Sequence, residues 1–469
     1  MSAVVASPAA SAAAFPQPAP RRFAVIGAGA AGLCAAKYLV QSGFEDVTIF
    51  EIGTQIGGLW KYRNDNGRSA AYRTLHINTA KYVTRFSDFP FDDAVQMFPD
   101  HRDMHAYLVS YAEHFDLVRR IRFRSRVLQV RPTAPFDSAE QRWEVEVEGG
   151  ARETFDRVIV ASGHLSVPMH VPEYRDAFTG EYLHSHDYRE PEPFAGRKIC
   201  IVGVGNSACD IASDVCSTSP LTVMVARSGV MIGPKLIFGR PFTDVTFRLY
   251  KNWIPDGLRR RTIAFLVRMI QGRMTDLGFK PLTERAHPTT SAVVVQHIAY
   301  RRIIVKQGID RIEGRRLFFT DGTSDEFDTM IAATGYLIDL PFVPPEVAQV
   351  KDNRVDLYKR MCAPGWCGLY FVGLLNSTSH ALNDIFEQQS KWICAVEHGE
   401  VVLPDVDGMR TDIEAKKQYI RRHFRDSPRH TIEEESLRYL TELARQRKAG
   451  SRGRARPAVV ATAAAGATR

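Results

Sequence analysis

Phe23-Ala24-Val25-Ile26 is an apolar run too short for a helix and closed by glycine, which predicts a buried strand. It runs into Gly27-x-Gly29-x-x-Gly32, then an apolar helical stretch through Leu39, then a second apolar run, Val47-Thr48-Ile49-Phe50. The same succession returns 176 residues later: a strand over 198–202, Gly203-x-Gly205-x-x-Ala208, a helical stretch to Val215, and a strand over 221–225. Each copy leads to a matching later strand, Phe155-Asp156-x-x-Ile159-x-Ala161-x-Gly163 and Phe327-Asp328-x-x-Ile331-x-Ala333-x-Gly335, at first-to-last glycine intervals of 136 and 132 residues. Before these lie antiparallel patterns. Trp143, Val145 and Val147 alternate with Glu144, Glu146 and Glu148, and 317–320 turns at Asp321-Gly322. The pattern predicts an α/β chain of two Rossmann-like dinucleotide-binding domains, each with a β-meander.

Two different dinucleotides follow from one position. Glu51 stands 24 residues past Gly27, at the end of the second strand, where a carboxylate accepts from the hydroxyls of an unmodified ribose and so suits FAD or NAD. The equivalent position, 24 residues past Gly203, is Arg227, whose guanidinium suits the 2′-phosphate of NADPH; the alternative is a solvated surface arginine. The phosphates are expected on the N–H groups opening each helix, at Gly27, Gly29 and Gly32 in the first copy and at Gly203, Gly205, Asn206 and Ser207 in the second.

Composition narrows the class. At 469 residues with 45% apolar content the chain has material for two cores and is neither a disulfide miniprotein nor mostly disordered. The net charge of +8 suggests a nucleic-acid binder until it is located. Residues 444–469 hold seven cations and no acid, so the rest is close to neutral and no specific nucleic-acid partner is expected. Seven scattered cysteines without paired CxxC spacing predict free thiols in a reducing compartment. The Ala/Pro/Ser-rich residues 1–22 read as a disordered leader and 444–469 as a disordered basic tail. No run of about 18 apolar residues occurs, so no transmembrane segment is expected and the location predicted is cytoplasmic.

A flavin and a nicotinamide in one chain make hydride transfer between them the simplest chemistry. A disulfide reductase would carry a redox CxxxxC soon after the first glycine motif, where this chain reads Gly57-Gly58-Leu59-Trp60. Cys362 and Cys367 have that spacing but lie far from that context. Dioxygen remains as the small acceptor.

Between the halves stands Phe178-x-Gly180-x-x-x-His184-x-x-x-Tyr188. With it the chain resembles the flavin-containing monooxygenase family, the class B flavoprotein monooxygenases related to Baeyer–Villiger enzymes. The likeness extends over both glycine motifs, residues 57–60, the segment 75–90 with Asn78 and Asp88-Phe89-Pro90, and Ala333-Thr334-Gly335-Tyr336. Baeyer–Villiger enzymes usually end the fingerprint with Trp then Pro or Asp; here Tyr188 precedes Arg189, a departure that favours heteroatom oxygenation without excluding ketones.

The resemblance implies FAD and NADPH as cofactors, and a flavin hydroperoxide whose outer oxygen passes to the amine nitrogen or sulfide sulfur of a small molecule. The alternatives are a Baeyer–Villiger enzyme turning ketones into esters or lactones, and an uncoupled NADPH oxidase or flavin reductase. It places Asn78 beside the reacting oxygens. Gly58, Leu59, Trp60, Thr334, Gly335, Asn383 and Gln389 are expected at the cofactors, the last two facing the flavin from a helix through Trp392. Phe178, Gly180, His184 and Tyr188 are assigned to a hinge in which the aromatics pack and Gly180 permits a turn. His184 with His186, and His101 with His105, lack the further ligands of a metal site, so none is expected. Residues 258–273 alternate arginines with apolar residues, a pattern that fits a helix packed on the NADPH domain, a cap on the substrate entrance or contact with a membrane surface. The expected layout is an FAD domain over 23–165 and 331–443 with an NADPH domain, 166–330, inserted; a homo-oligomer is compatible with all of this.

Overall fold

The computed structural model describes residues 21–454 apart from 252, 284–288, 292, 379, 425–426 and 428–429. Two five-stranded parallel sheets organise them. The first runs Leu369–Phe371, Arg157–Val160, Phe23–Ile26, Val47–Phe50, Ile121–Arg122, and the second Glu181–His184, Thr329–Ala332, Lys198–Val202, Leu221–Val225, Ile303–Lys306. Written this way, the middle strands of the two orders correspond one to one, so the sequence repeat is a repeat of topology. Each half also carries a three-stranded antiparallel meander, Val127–Pro132 with Trp143–Val147 and Arg152–Phe155, and Ile309–Glu313 with Arg316–Phe319 and Ser324–Glu326.

The central strands are continuous apolar runs because both faces of each sheet are covered. Val25 and Ile159 face a core shared with the helices Ala30–Gln41 and Leu382–Glu397, while Ala24 and Val158 face the first meander through Val130, Trp143 and Val145. In the second half Ile199 and Ile201 pack on the helix Asn206–Val215, and Cys200 and Val202 on Leu317 and Phe319 of the meander.

The chain leaves the first sheet after Val160, builds the second and returns at Leu369. Strand Thr329–Ala332 lies wholly in the second sheet, two residues beyond the expected boundary at 330. Most of the expected leader lies outside the described residues, but Arg21 and Arg22 do not belong to it: the Arg21 guanidinium pairs with Glu397, and the Arg22 N–H donates to Asp156 Oδ2 at 2.8 Å. The expected start of a disordered tail at 444 is also corrected. Helix Ser436–Arg454 continues through it, with Trp392 Nε1 donating to Gln446 Oε1 at 2.7 Å and Arg447 to Gln388 Oε1 at 2.6 Å. Arg, Lys, Gln and Ala are strong helix formers, and Tyr439 and Leu443, one turn apart, give this helix its buried stripe. Residues 455–469 lie outside the description.

The basic amphipathic segment is the helix Asp256–Gln271. Its Val267 is buried, and buried Arg259 pairs with Asp256 and with Glu435 near the C-terminal helix. Leu258, Phe265 and Met269 point to solvent at 60–69% exposure, so only part of its apolar stripe packs on the second half. No helix among the described residues is long and apolar enough to cross a membrane.

Candidate functional site

The two glycine turns are built alike. Gly27 and Gly203 have φ of +109° and +129°, where a side chain is strained, and a Cβ on them would lie 2.7 Å from Ala161 O and 2.4 Å from Ala333 O. Their N–H groups donate to Phe50 O and Val225 O at 2.8 and 3.0 Å, closing each turn over the second strand of its half. Gly32 lets the first helix approach the turn, since its Cβ would fall 1.9 Å from Gly27 O.

Gly29 differs. A Cβ there meets only Gly58 Cα, at an ordinary 3.7 Å, so packing does not explain the glycine, whereas a ligand lying against the helix N-terminus does. Gly29 and Gly205 are N-caps without a side-chain cap, and neither helix has an acid in its first turn. With no side chain on either N-cap, both ends offer N–H donors and the positive pole of a helix, the surroundings a pyrophosphate requires.

At the ends of the second strands the charges are opposite. Glu51 is buried, accepting from Ala28 N–H at 2.8 Å and Gly53 N–H at 2.9 Å. A carboxylate has about four acceptor sites, so capacity remains for ribose hydroxyls beside the turn it braces. Arg227 is exposed directly after Leu221–Val225, with no carboxylate paired to it among the described residues. Beside it stands Tyr174, whose phenol is raised chiefly by burial, with the Arg227 charge opposing.

Gly58-Leu59-Trp60 forms one short 3₁₀ turn, held by Asn64 Nδ2 donating to Gly58 O at 3.0 Å and Ser69 Oγ to Leu59 O at 2.7 Å. Gly57, at φ +122°, rests on His105. His105 contacts Ile56 O at 3.1 Å, and the ring of buried His101 lies 5.2 Å from that of Tyr62. Burial lowers both imidazoles, so these histidines brace the loop as neutral rings. Among the described residues no cluster of three His, Cys, Asp or Glu is placed to hold a metal.

Asn78 sits in a loop pinned on both sides by Ile77 N–H to Pro99 O at 2.9 Å and Lys81 N–H to Met97 O at 2.8 Å. Its Oδ1 is buried without a hydrogen-bond partner among the described residues. An amide oxygen in that state costs about 1–3 kcal/mol, a cost the fold carries while the residue as a whole stays half-buried. Further along the same segment, Asp88 pairs with buried Lys37, and buried Glu387 accepts from Tyr38 OH and from Ser87. Lys37 and Glu387, which the sequence reading passed over, thus anchor this loop to the first helix and to the helix Leu382–Glu397.

Other predicted site residues have protein partners. Thr334 donates its hydroxyl to Met169 O, and Met169 N–H donates to Gly335 O at 3.0 Å, fixing the crossing between the halves. Asn206 Oδ1 accepts from Thr290 N–H at 2.9 Å; Ser207 follows it in the first turn of that helix, half-buried. Asn383 donates to Thr84 O at 2.8 Å, supporting the loop that carries Asn78. Gln389 is a correction. It has 0% exposure, accepting from Gly373 N–H and donating to Tyr439 OH, both at 2.9 Å, and a side chain closed to water in ligand-free protein has no face for a flavin.

The fingerprint is built into the second sheet: Glu181–His184 is the strand beside Thr329–Ala332. Gly180 is needed for space rather than for a turn, since its Cβ would lie 2.6 Å from the Phe178 ring and 2.8 Å from Asp328 O. His184 is fully buried and accepts on Nδ1 from His186 N–H at 3.0 Å. Burial, with His170 and His186 nearby, pushes it down to about 4, so it is neutral. The Tyr188 ring is buried against Phe194, and its hydroxyl donates to Asp214 at 3.1 Å.

The similarities to known proteins agree with this geometry. The family described as "Flavin-binding monooxygenase-like" matches residues 20–452. Human flavin-containing monooxygenase 5 is 33% identical over 443 residues, covering 90% of this chain and 82% of the relative. Mouse dimethylaniline monooxygenase [N-oxide-forming] 2 is 30% identical over 442 residues, with the same coverages. Among solved structures, S-allyl-L-cysteine S-oxygenase from Allium sativum superposes with a TM-score of 0.70 at 26% identity over 92% of this chain and 90% of that one. An open cyclohexanone monooxygenase, at 17% identity and a TM-score of 0.65 over 92% of this chain and 99% of that one, shares the fold. With its paired glycine turns and a family match over residues 20–452, the chain belongs to the flavin-binding monooxygenase-like family.

Proposed function

We propose that this protein is an NADPH- and dioxygen-dependent monooxygenase that oxygenates amine nitrogen or sulfide sulfur in small molecules. The observation that carries the reading is the opposite charge at equivalent positions of the repeat: Glu51 recognises the adenosine ribose of FAD, and Arg227 the 2′-phosphate of NADPH. FAD, when bound, supplies the two-electron transfer and the activation of dioxygen. The chain's part is to bind and to orient. The uncapped helix starts at Gly29 and Gly205 hold the two pyrophosphates, and Asn78 presents a neutral amide to the reacting oxygens. A neutral amide orients without delivering a proton, whereas an acid there would release peroxide. The heteroatom class is supported by the relatives named for S-oxygenation and for N-oxide formation.

The test is to supply purified protein with NADPH and, in turn, a thioether, a tertiary amine and a cyclic ketone, measuring product and hydrogen peroxide together. Sulfoxide or N-oxide matching NADPH consumed supports the proposal. Ester or lactone as the main product replaces it with Baeyer–Villiger chemistry, and peroxide equal to NADPH with an oxidase. Asn78→Ala and Asn78→Asp are expected to keep FAD and its reduction while diverting most of the NADPH consumed to peroxide. Coupling like that of the wild type removes Asn78 from the site.

A further inference from the structure

Three hydroxyls from outside the second nucleotide helix converge on two of its carboxylates. Tyr72 OH donates to Asp210 Oδ2 at 2.6 Å; Thr74 Oγ1 and Tyr188 OH, the latter at 3.1 Å, both donate to Asp214 Oδ2. Asp210 and Asp214 are one turn apart on Asn206–Val215, so both acceptors lie on one face of the helix whose first turn begins at Gly205. Burial raises both carboxyls, that of Asp210 to about 6. The donors come from the segment leading into Asn78 and from the last residue of the fingerprint.

The backbone around these bonds is tied to the same place. Arg73 N–H donates to Arg189 O at 2.8 Å, Arg189 to Ser69 O at 3.2 Å, and the Arg73 guanidinium pairs with Glu190 and Glu192. The rings of Tyr72 and Tyr188 meet edge to face, 5.9 Å between centroids. Residues 69–76, which belong to the first half by sequence, are thus fastened to the second half through this carboxylate face and through the Arg73 and Arg189 contacts.

We infer that Asp210 and Asp214 are positioning residues: by receiving Tyr72, Thr74 and Tyr188, they hold the Asn78 segment in register with the helix on which the pyridine nucleotide rests. The inference rests on the oxygenation reading above and deepens it, since it gives the fingerprint hydroxyl a task. The glycine turn that holds the nucleotide and the amide at the reacting oxygens are fixed to opposite ends of one short helix-and-loop unit. Loss of a hydroxyl then loosens Asn78 without removing a contact to either cofactor.

The test compares Tyr188→Phe, which keeps the packed ring, and Thr74→Val, which keeps the shape, with Thr74→Ser, which restores a hydroxyl. Amide hydrogen exchange in the flavin-loaded protein is expected to rise about tenfold across 73–79 in the Phe and Val variants, the ratio for losing one hydrogen bond to a charged group, and to return with Ser. In the same variants the share of NADPH ending as peroxide rises severalfold while the KM for NADPH changes less than about threefold. Unchanged exchange overturns the clasp, and raised exchange with unchanged coupling overturns its positioning role. If wild-type protein oxygenates no substrate, the proposed function fails, and the exchange arm alone still decides whether the carboxylates hold the segment.

Discussion

Gly32→Ala is expected to give a folded but colourless protein. The added Cβ falls 1.9 Å from Gly27 O and 3.0 Å from Gly27 C, so the turn or the helix start must move by about an ångström to reach contact distance. The turn itself is held by its own bonds, Gly27 N–H to Phe50 O at 2.8 Å and Ala161 N–H to Ile26 O at 3.0 Å, which join it to both neighbouring strands. What moves is the helix N-terminus with its N–H donors. Overpacking of this kind costs about 1–3 kcal/mol, which a domain with about 5–15 kcal/mol of stability survives, so circular dichroism should remain close to native. Each charge-assisted bond lost to the pyrophosphate costs about 1.5–3 kcal/mol, so affinity for FAD should fall at least about 100-fold. Flavin per protein, read from visible absorbance after gel filtration, checks this; wild-type stoichiometry would refute the turn as the FAD cradle. Gly203→Ala, whose Cβ meets Ala333 O at 2.4 Å, should keep the yellow colour and lose NADPH binding instead.

The parts of this molecule legible in the sequence are those fixed by short-range geometry. A strand, a glycine turn and a helix must follow one another closely to make a phosphate cradle, so residues 23–51 and 198–227 show it as spacing, and Glu51 and Arg227 fall where that spacing puts them. The less legible parts are long-range. Glu181 pairs with Thr329, 148 residues away, and only that pairing shows that the fingerprint supplies the strand on the far side of Thr329–Ala332. The first sheet fills the matching place with Leu369–Phe371, taken from after the insertion. The place of Gln389 is not legible because an amide on this helix looks the same in sequence whether it faces a ligand or, as here, Gly373 and Tyr439. The extent of the C-terminal helix is not legible because its turns beyond Leu443 are basic and carry no large apolar residue to mark a buried face. Asp210 and Asp214 did leave a signal: two carboxylates at i and i+4 on a helix otherwise rich in small and apolar residues.

Arg227→Ala is expected to raise the KM for NADPH by about 10- to 100-fold and to leave that for NADH nearly unchanged. A guanidinium–phosphate contact is charge-assisted and contributes about 1.5–3 kcal/mol, and every 1.4 kcal/mol is a factor of ten. Arg227 is exposed and pairs with no acid among the described residues, so its removal breaks no internal ion pair and the melting temperature should stay within a degree or two of the wild type. The effect is then confined to the nucleotide that carries the 2′-phosphate. Arg227→Glu should go further, placing beside that phosphate the charge that Glu51 places beside an unmodified ribose, and so turning the preference toward NADH. Steady-state KM values for both nucleotides at low and high salt decide the matter. A selective loss that shrinks as salt screens the contact supports the assignment, and an equal change for NADPH and NADH assigns the 2′-phosphate to another residue.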